Sequence, residues 1–228
     1  MVLPGDSVGS ADSAEVPSAA GEQVEDGKNN RSMETIKLFN GVEMPLLGYG
    51  LYKVGPEEGE RCISDAIAAG YRLIDTAQYY GNEECVGKAI SKSGIPREEF
   101  FIVTKIWIDN SGEEKAYAAL QESFKRLGTD YIDLVLVHQP FGDYYGTYRA
   151  LERAYEEGAV RAIGVSNFYQ DKFYDLTHHC RIKPMVCSFR MCIFVILQIL
   201  FCDYFLCSFS RPRAICFRVN HYFALIQE

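Results

Sequence analysis

From Thr35 to about Val186, short apolar runs alternate with amphipathic stretches. The first two runs, 36-IKLFNG-41 and 42-VEMPLL-47, flank Asn40-Gly41, a pair suited to the positive φ of a tight hairpin turn. A strand is predicted at 47-LGYGLY-52. In 59-GERCISDAIAAG-70, Cys62, Ile63, Ala66 and Ile67 fall on one helical face and Gly70 ends the pattern. The alternation then repeats. Strand 71-YRLIDTA-77 leads to helix 82-NEECVGKAISKSG-94, strand 100-FFIVTKIW-107 to helix 113-EEKAYAALQESFKRLG-128, and strand 131-YIDLVLVH-138 to helix 147-TYRALERAYEEG-158. Strand 160-VRAIGVSNF-168 and helix 171-DKFYDLTHHC-180 follow, and 183-KPMV-186 opens another strand. Asn82 and Asp171 stand where N-caps are expected. This alternation predicts an α/β fold with a parallel sheet. It reads as a (β/α)8 TIM barrel with an N-terminal β-hairpin, incomplete at about six of eight βα units.

The flanks read differently. Residues 1–32 are rich in Ser, Gly, Ala, Asp and Glu and nearly lack large apolar groups, so they are expected to form a disordered acidic tail. Residues 33–186 form the predicted partial barrel, and 187–228 a hydrophobic, Cys- and Phe-rich tail of other character. A formal charge of −8 over 228 residues, without a Lys/Arg cluster, argues against nucleic acid or an anionic membrane surface as partner. A small molecule is the better expectation. The N-terminus has no apolar segment of a secretion signal and is too acidic for an organelle transit peptide, which predicts a cytoplasmic protein. None of the eight cysteines pairs at zinc or redox CxxC spacing, and free thiols are expected in a reducing compartment. No metal site is predicted.

In such a fold the chemistry gathers at the C-terminal ends of the strands. Those ends carry Asp75 and then Tyr80, Lys105, His138, and the pair Ser166-Asn167. Taken singly each has a structural explanation: a satisfied core histidine, a lysine snorkelling at the rim, an aspartate capping the next helix. Their convergence on one rim points to carbonyl reduction, because hydride arriving at carbon makes an oxyanion that a fixed donor must protonate. Tyr80 can be that donor. A phenol near pKa ~10 is a reluctant acid–base group, and an adjacent ammonium, Lys105, lowers its pKa. Asp75 would pair with Lys105 and hold it in place. His138 can donate a hydrogen bond that polarises the carbonyl. Ser166 and Asn167 offer groups that suit a carboxamide.

With these residues in view the chain resembles the aldo-keto reductases, NADPH-dependent (β/α)8 barrels. The stretch 70-GYRLIDTAQYYGNEECVG-87 resembles the first family signature and 151-LERAYEEGAVRAIGVSNF-168 the second. The segments 39-FNGVEMPLLGYG-50, 101-FIVTKIW-107 and 132-IDLVLVHQP-140 fit the hairpin and the strands that carry the family's lysine and histidine. The resemblance implies Tyr80 as proton donor, Lys105 and Asp75 as its tuning pair, and His138 with Trp107 at the substrate. It also implies contacts of Asp75, Ser166 and Asn167 with the nicotinamide riboside of NADPH. Spacing from the aspartate selects Tyr80 rather than Tyr79 as the family's phenol. The stretch 137-VHQPFGDYYG-146 is most similar to microbial reductases of small aldehydes, keto esters and diketo sugars, and a monomer is expected if the chain folds.

The resemblance read from the sequence covers about 35–186. Beyond it the family continues with an Asn-Gln pair, a tyrosine that stacks on the nicotinamide, and a late segment that holds the 2′-phosphate. Here Cys187-Ser188 and then 189-FRMCIFVILQILFCDYFLCSF-209 follow. Three readings of this tail stand open: a replacement for the last units, a membrane anchor over 191–209, or sequence never selected to fold here, such as retained intron or a shifted frame. An aspartate within a span costs ~3 kcal/mol, which weighs against the anchor. The abrupt onset and missing periodicity favour the last reading. Two functions therefore remain: an NADPH-dependent reductase of aldehydes and ketones, or a non-catalytic fragment from a truncated or mis-spliced reductase gene.

Overall fold

Hydrogen bonding between residues far apart in sequence converts the alternation into one sheet. A computed structural model describes residues 33–188 and the backbone of two further strands at 214–219 and 222–227. The expectations for 1–32 and for an anchor at 191–209 lie outside the described residues. The chain opens with an antiparallel pair, β1 (Thr35–Lys37) and β2 (Glu43–Pro45). Its turn passes through Gly41 at φ 89°. Then come β3 (Gly48–Gly50), α1 (Pro56–Ala68), β4 (Leu73–Asp75), α2 (Glu83–Ser93), β5 (Phe101–Ile106) and α3 (Glu113–Leu127). They are followed by β6 (Ile132–Val137), α4 (Tyr144–Glu156), β7 (Val160–Ser166), α5 (Gln170–His179) and β8 (Val186–Ser188). Strands β3 to β8 pair in parallel, each with the next, as the alternation predicts.

Two strands that the periodicity did not reveal complete the sheet. These are β9 (Ala214–Val219) and β10 (Tyr222–Gln227), which pair with one another. The second also runs antiparallel to β8, so the sheet order is β3-β4-β5-β6-β7-β8-β10-β9. Both segments are rich in β-branched and aromatic residues and flank Asn220-His221, the composition of a hairpin rather than of a βα unit.

The helix ends depart from expectation in instructive ways. Helix α1 starts earlier than its apolar stripe, at Pro56, where a missing N–H costs nothing. Helix α4 starts earlier too, because Asp143 caps it by accepting from Gly146 N at 2.8 Å. Asn82 holds the N-cap position of α2 but does not cap. Its buried side chain instead accepts from Thr76 Oγ1 and donates to Leu51 O and Val54 O, tying the loop after β3 to the end of β4. At α5 the N-cap is Tyr169, and Asp171 lies within the first turn.

The central strands β5 and β6 are buried throughout, and one continuous apolar core joins sheet and helices. Asp133, fully buried in β6, pins the neighbouring elements: it takes Arg97 Nη2 and Arg161 Nη1 at 2.7 Å each and Ile102 N at 2.9 Å. These contacts lie near the starts of the strands. The strand ends are left for other chemistry.

Candidate active site

Each polar residue on the rim is placed by where its strand stops. Strand β4 ends on Asp75, and Gln78–Tyr80 form a 3-10 turn closed by Gly81 at φ 68°. Lys105 comes from β5 and is 4% exposed. His138 follows β6 directly, with its N–H bonded to Ile106 O at 3.1 Å. Ser166 ends β7. Asn167 then turns the chain at φ 62°, a left-handed conformation that asparagine tolerates better than most residues.

Asp75, Tyr80, Lys105 and His138 come together. Lys105 Nζ makes an ion pair with Asp75 and donates to Thr76 O at 2.9 Å. The same ammonium lies 5.0 Å from the centre of the Tyr80 ring, and the His138 ring meets that phenol edge-on at 5.7 Å. Trp107 packs edge-on against His138 at 4.9 Å. Ser166 and Asn167 adjoin this group through Asn167 Nδ2, which donates to His138 O at 2.9 Å and to Ser166 Oγ at 3.0 Å. The backbone N–H of Asn167 donates to Ser188 O at 2.8 Å.

The electrostatics correct one expectation. Burial is the largest influence on Tyr80 and raises its pKa above the ordinary phenol value. Lys105 pulls the other way, Asp75 raises it further, and the net direction is upward. Tyr80 is thus a protonated phenol throughout the neutral range. His138 is pushed down to about 3, by burial first and by the Lys105 charge second, so its imidazole is neutral. Its buried Nδ1 has no hydrogen-bond partner among the described residues.

Three contributors escaped the sequence reading. Tyr52 lies beyond β3 and packs its ring 5.3 Å from Tyr80; the rule that strand ends face the rim could have found it. Tyr79 stacks on Trp107, and Gln78 bonds to the segment that carries Trp107. Neither contact has a sequence signal, because both partners are remote in the chain. A separate depression of about 290 Å³ lies between α2 and α3, beside Lys88, Lys92 and Arg126. Those cations are paired with Glu84, Glu60 and Glu83 respectively.

A parallel α/β sheet that gathers a lysine–carboxylate pair, a phenol and a neutral imidazole at its strand ends has the layout of the (β/α)8 oxidoreductases. The chain belongs to the aldo/keto reductase family, whose model matches residues 46–201 and so runs past Val186. It is 49% identical over 155 residues to the glyoxal reductase of Bacillus subtilis, covering 67% of this chain and 56% of that protein. It is similar in structure to an aldo/keto reductase from Brucella melitensis, with TM-score 0.69 and 42% identity over 70% of this chain and 62% of that one. A Bombyx mori aldo-keto reductase in complex with NADP matches with TM-score 0.67 and 35% identity, over 70% of this chain and 58% of that one. The chain therefore spans little more than half the length of the relatives it matches. Among the described residues no helix is long and apolar enough to cross a membrane, and no cluster of His, Cys, Asp and Glu could hold a metal ion.

Proposed function

We propose that this chain carries the reacting half of an NADPH-dependent reductase of aldehydes and ketones. One observation carries the reading: Lys105 is held by Asp75 beneath the Tyr80 ring while a neutral His138 faces the same phenol. Ser166 and Asn167 fit the carboxamide end of the cofactor. The Ser166 hydroxyl accepts from Asn167 Nδ2 and carries an O–H of its own to donate, and the Asn167 amide brings an acceptor oxygen beside it. With Asp75, these two would hold the nicotinamide riboside. Bound NADPH would supply the hydride.

The remaining chemistry belongs to side chains of this chain. Tyr80, protonated because burial raises its pKa, gives its proton to the oxygen of the carbonyl being reduced. The phenolate left behind is stabilised by Lys105, whose ammonium Asp75 keeps in place. His138 has one ring N–H, and an unpaired Nδ1 suits a bare lone pair, so Nε2 carries the proton and can orient the carbonyl. Trp107 flanks it.

The test is oxidation of NADPH by the purified chain with a small aldehyde, beside Tyr80→Phe. Loss of a positioned general acid should lower turnover by about 100- to 10,000-fold. Equal rates in the two proteins would remove Tyr80 from the role. A second reading, a non-catalytic reductase fragment, draws on β8. It carries Cys187-Ser188 and is followed in the sheet by the antiparallel β10 rather than by another parallel strand. A folded chain that binds no NADPH in a titration followed by Trp107 fluorescence would favour that reading.

A further inference from the structure

Strand β5 outruns its neighbour. The pairing of β4 with β5 stops at Asp75↔Val103, while β5 continues through Thr104, Lys105 and Ile106. The turn Gln78–Tyr80 lies against this overhang, and the Gln78 side chain joins the two. Its Oε1 accepts from Trp107 N, the first N–H beyond β5, at 3.1 Å and from Asn110 Nδ2 at 3.0 Å. Its Nε2 donates to Ala119 O at 3.1 Å and to Ser123 Oγ at 3.0 Å, both on α3. A primary amide has two donor hydrogens and two acceptor lone pairs, so these four bonds use the whole of it. On the far side of the turn, Asn82 ties the chain to the loop after β3. Gln78 supplies the ties to β5 and α3.

That tether spans the two partners of the reacting centre. Lys105 stands two residues before Trp107, and its ammonium is held by Asp75 and by Thr76 O. Tyr80 stands two residues after Gln78, and its ring centre lies 5.0 Å from that ammonium. The backbone bonds of the turn, from Tyr80 N to Ala77 O at 3.0 Å and from Gly81 N to Gln78 O at 3.3 Å, stay within it. Among the described hydrogen bonds it is therefore the Gln78 side chain that sets the turn, and with it the phenol, against the end of β5.

We propose that Gln78 is a positioning residue of the reacting centre, holding the Tyr80 phenol at a fixed distance from the Lys105 ammonium so that the two act together. Its part in catalysis rests on reading the site as a carbonyl reductase, whereas the distance itself is a property of the folded chain. The hold of a charge on a nearby group weakens as the gap widens and water enters it. A turn freed from β5 would thus uncouple the pair even in a chain that still folds.

The experiment places 3,5-difluorotyrosine at position 80, where its fluorine NMR signal follows the ionisation of that phenol alone, at lower pH than tyrosine. The groups that bear on this phenol are Lys105, Asp75 and Tyr52, with His138 facing the ring, and all but the one varied are kept. In the otherwise wild-type chain Lys105→Met should raise the titration midpoint, since the ammonium favours the phenolate. In a Gln78→Met background that rise should shrink to about half or less. Gln78→Glu, which keeps the acceptor for Trp107 N and Asn110 Nδ2, should restore part of it. A glutamine that serves stability alone would lower the urea midpoint of Gln78→Met and leave the rise unchanged, which would overturn the proposal. Should Gln78→Met not fold, Ser123→Ala, which removes one of the four partners, carries the same cycle: a smaller rise supports the proposal and an unchanged one overturns it. Turnover is read in parallel with the unlabelled chain, NADPH and a small aldehyde, where Gln78→Met should lower kcat about 10- to 100-fold with little change in KM. Intact coupling in Gln78→Met beside an active wild type would remove the positioning role and keep the reductase reading. Lost coupling beside an inactive wild type would keep the tether and remove that reading.

Discussion

His138 shows how a single buried group ties the site to stability. Burial and the Lys105 charge hold its pKa at about 3, against an ordinary value of 6.5. In the unfolded chain the imidazole takes up a proton as pH falls through 6.5, whereas in the folded chain it stays neutral until about 3. The unfolded state binds more protons across that window, so the contribution of His138 to stability is whole above 6.5 and lost progressively below it. The limiting slope for one proton is about 1.4 kcal/mol per pH unit. Urea unfolding at pH 7 and pH 5 should therefore show a larger loss of stability in the wild type than in His138→Gln. Equal losses would mean that the imidazole is already charged at pH 5. In the proposed reductase the same neutrality would let His138 donate a hydrogen bond without competing with Tyr80 as the acid.

Among the elements, α2 and α3 meet more closely than side chains normally allow. A Cβ built on Gly87 would lie 2.5 Å from Leu127 O, a backbone atom that cannot swing aside. On an open helix Gly→Ala would be favourable by about 1 kcal/mol. Here the clash reverses the sign, and Gly87→Ala should destabilise by about 1–3 kcal/mol, read as a lower midpoint in urea. A stabilised variant would show that the helices can part at no cost. The site should feel this packing, since Glu83 on α2 accepts from Thr104 Oγ1 on β5, one residue before Lys105. Asp133 marks the opposite end of the strands. Its two arginines and one backbone N–H make it a fastening of β5, β6 and β7, so Asp133→Ala, which removes charge-assisted bonds to partly exposed arginines and leaves Ile102 N without its acceptor, should cost about 1.5–3 kcal/mol. A loss below 1 kcal/mol in the same unfolding assay would show that Arg97 and Arg161 find water instead.

At the scale of the molecule the sheet has two ends, β3 and β9, among the described residues. An unpaired edge strand invites pairing with other chains. Strand β10 covers the edge of β8 through the pairs Tyr222↔Ser188, Phe223↔Cys187 and Ala224↔Val186. Ending the chain after Ser188 should uncover that edge. At a few tenths to 1 kcal/mol per cross-strand pair, the loss should be about 1–3 kcal/mol, with more light scattering at equal concentration. An unchanged midpoint would show that the hairpin adds nothing to the six parallel strands. The outcome also bears on the site, because Ser188 O receives the N–H of Asn167 and so steadies its left-handed turn.

The alternation of apolar runs and amphipathic stretches determined the six parallel strands and their helices, since burial on both faces of a strand and one face of a helix is written into local composition. With the strand order known, the rule that chemistry faces the strand ends brought Asp75, Tyr80, Lys105 and His138 to one rim. The tertiary structure decided what those residues are. Whether Lys105 or burial governs Tyr80 depends on how much water surrounds the phenol, which spacing along the chain does not encode. The bonds of Gln78 to Trp107 N, Asn110 Nδ2, Ala119 O and Ser123 Oγ and the Tyr79–Trp107 stack join residues about thirty or more apart, so no local pattern announces them. Asn82 makes the same point. A residue suited to begin a helix was spent on holding a loop, because three partners inside the fold offered more than one N–H of the first helical turn.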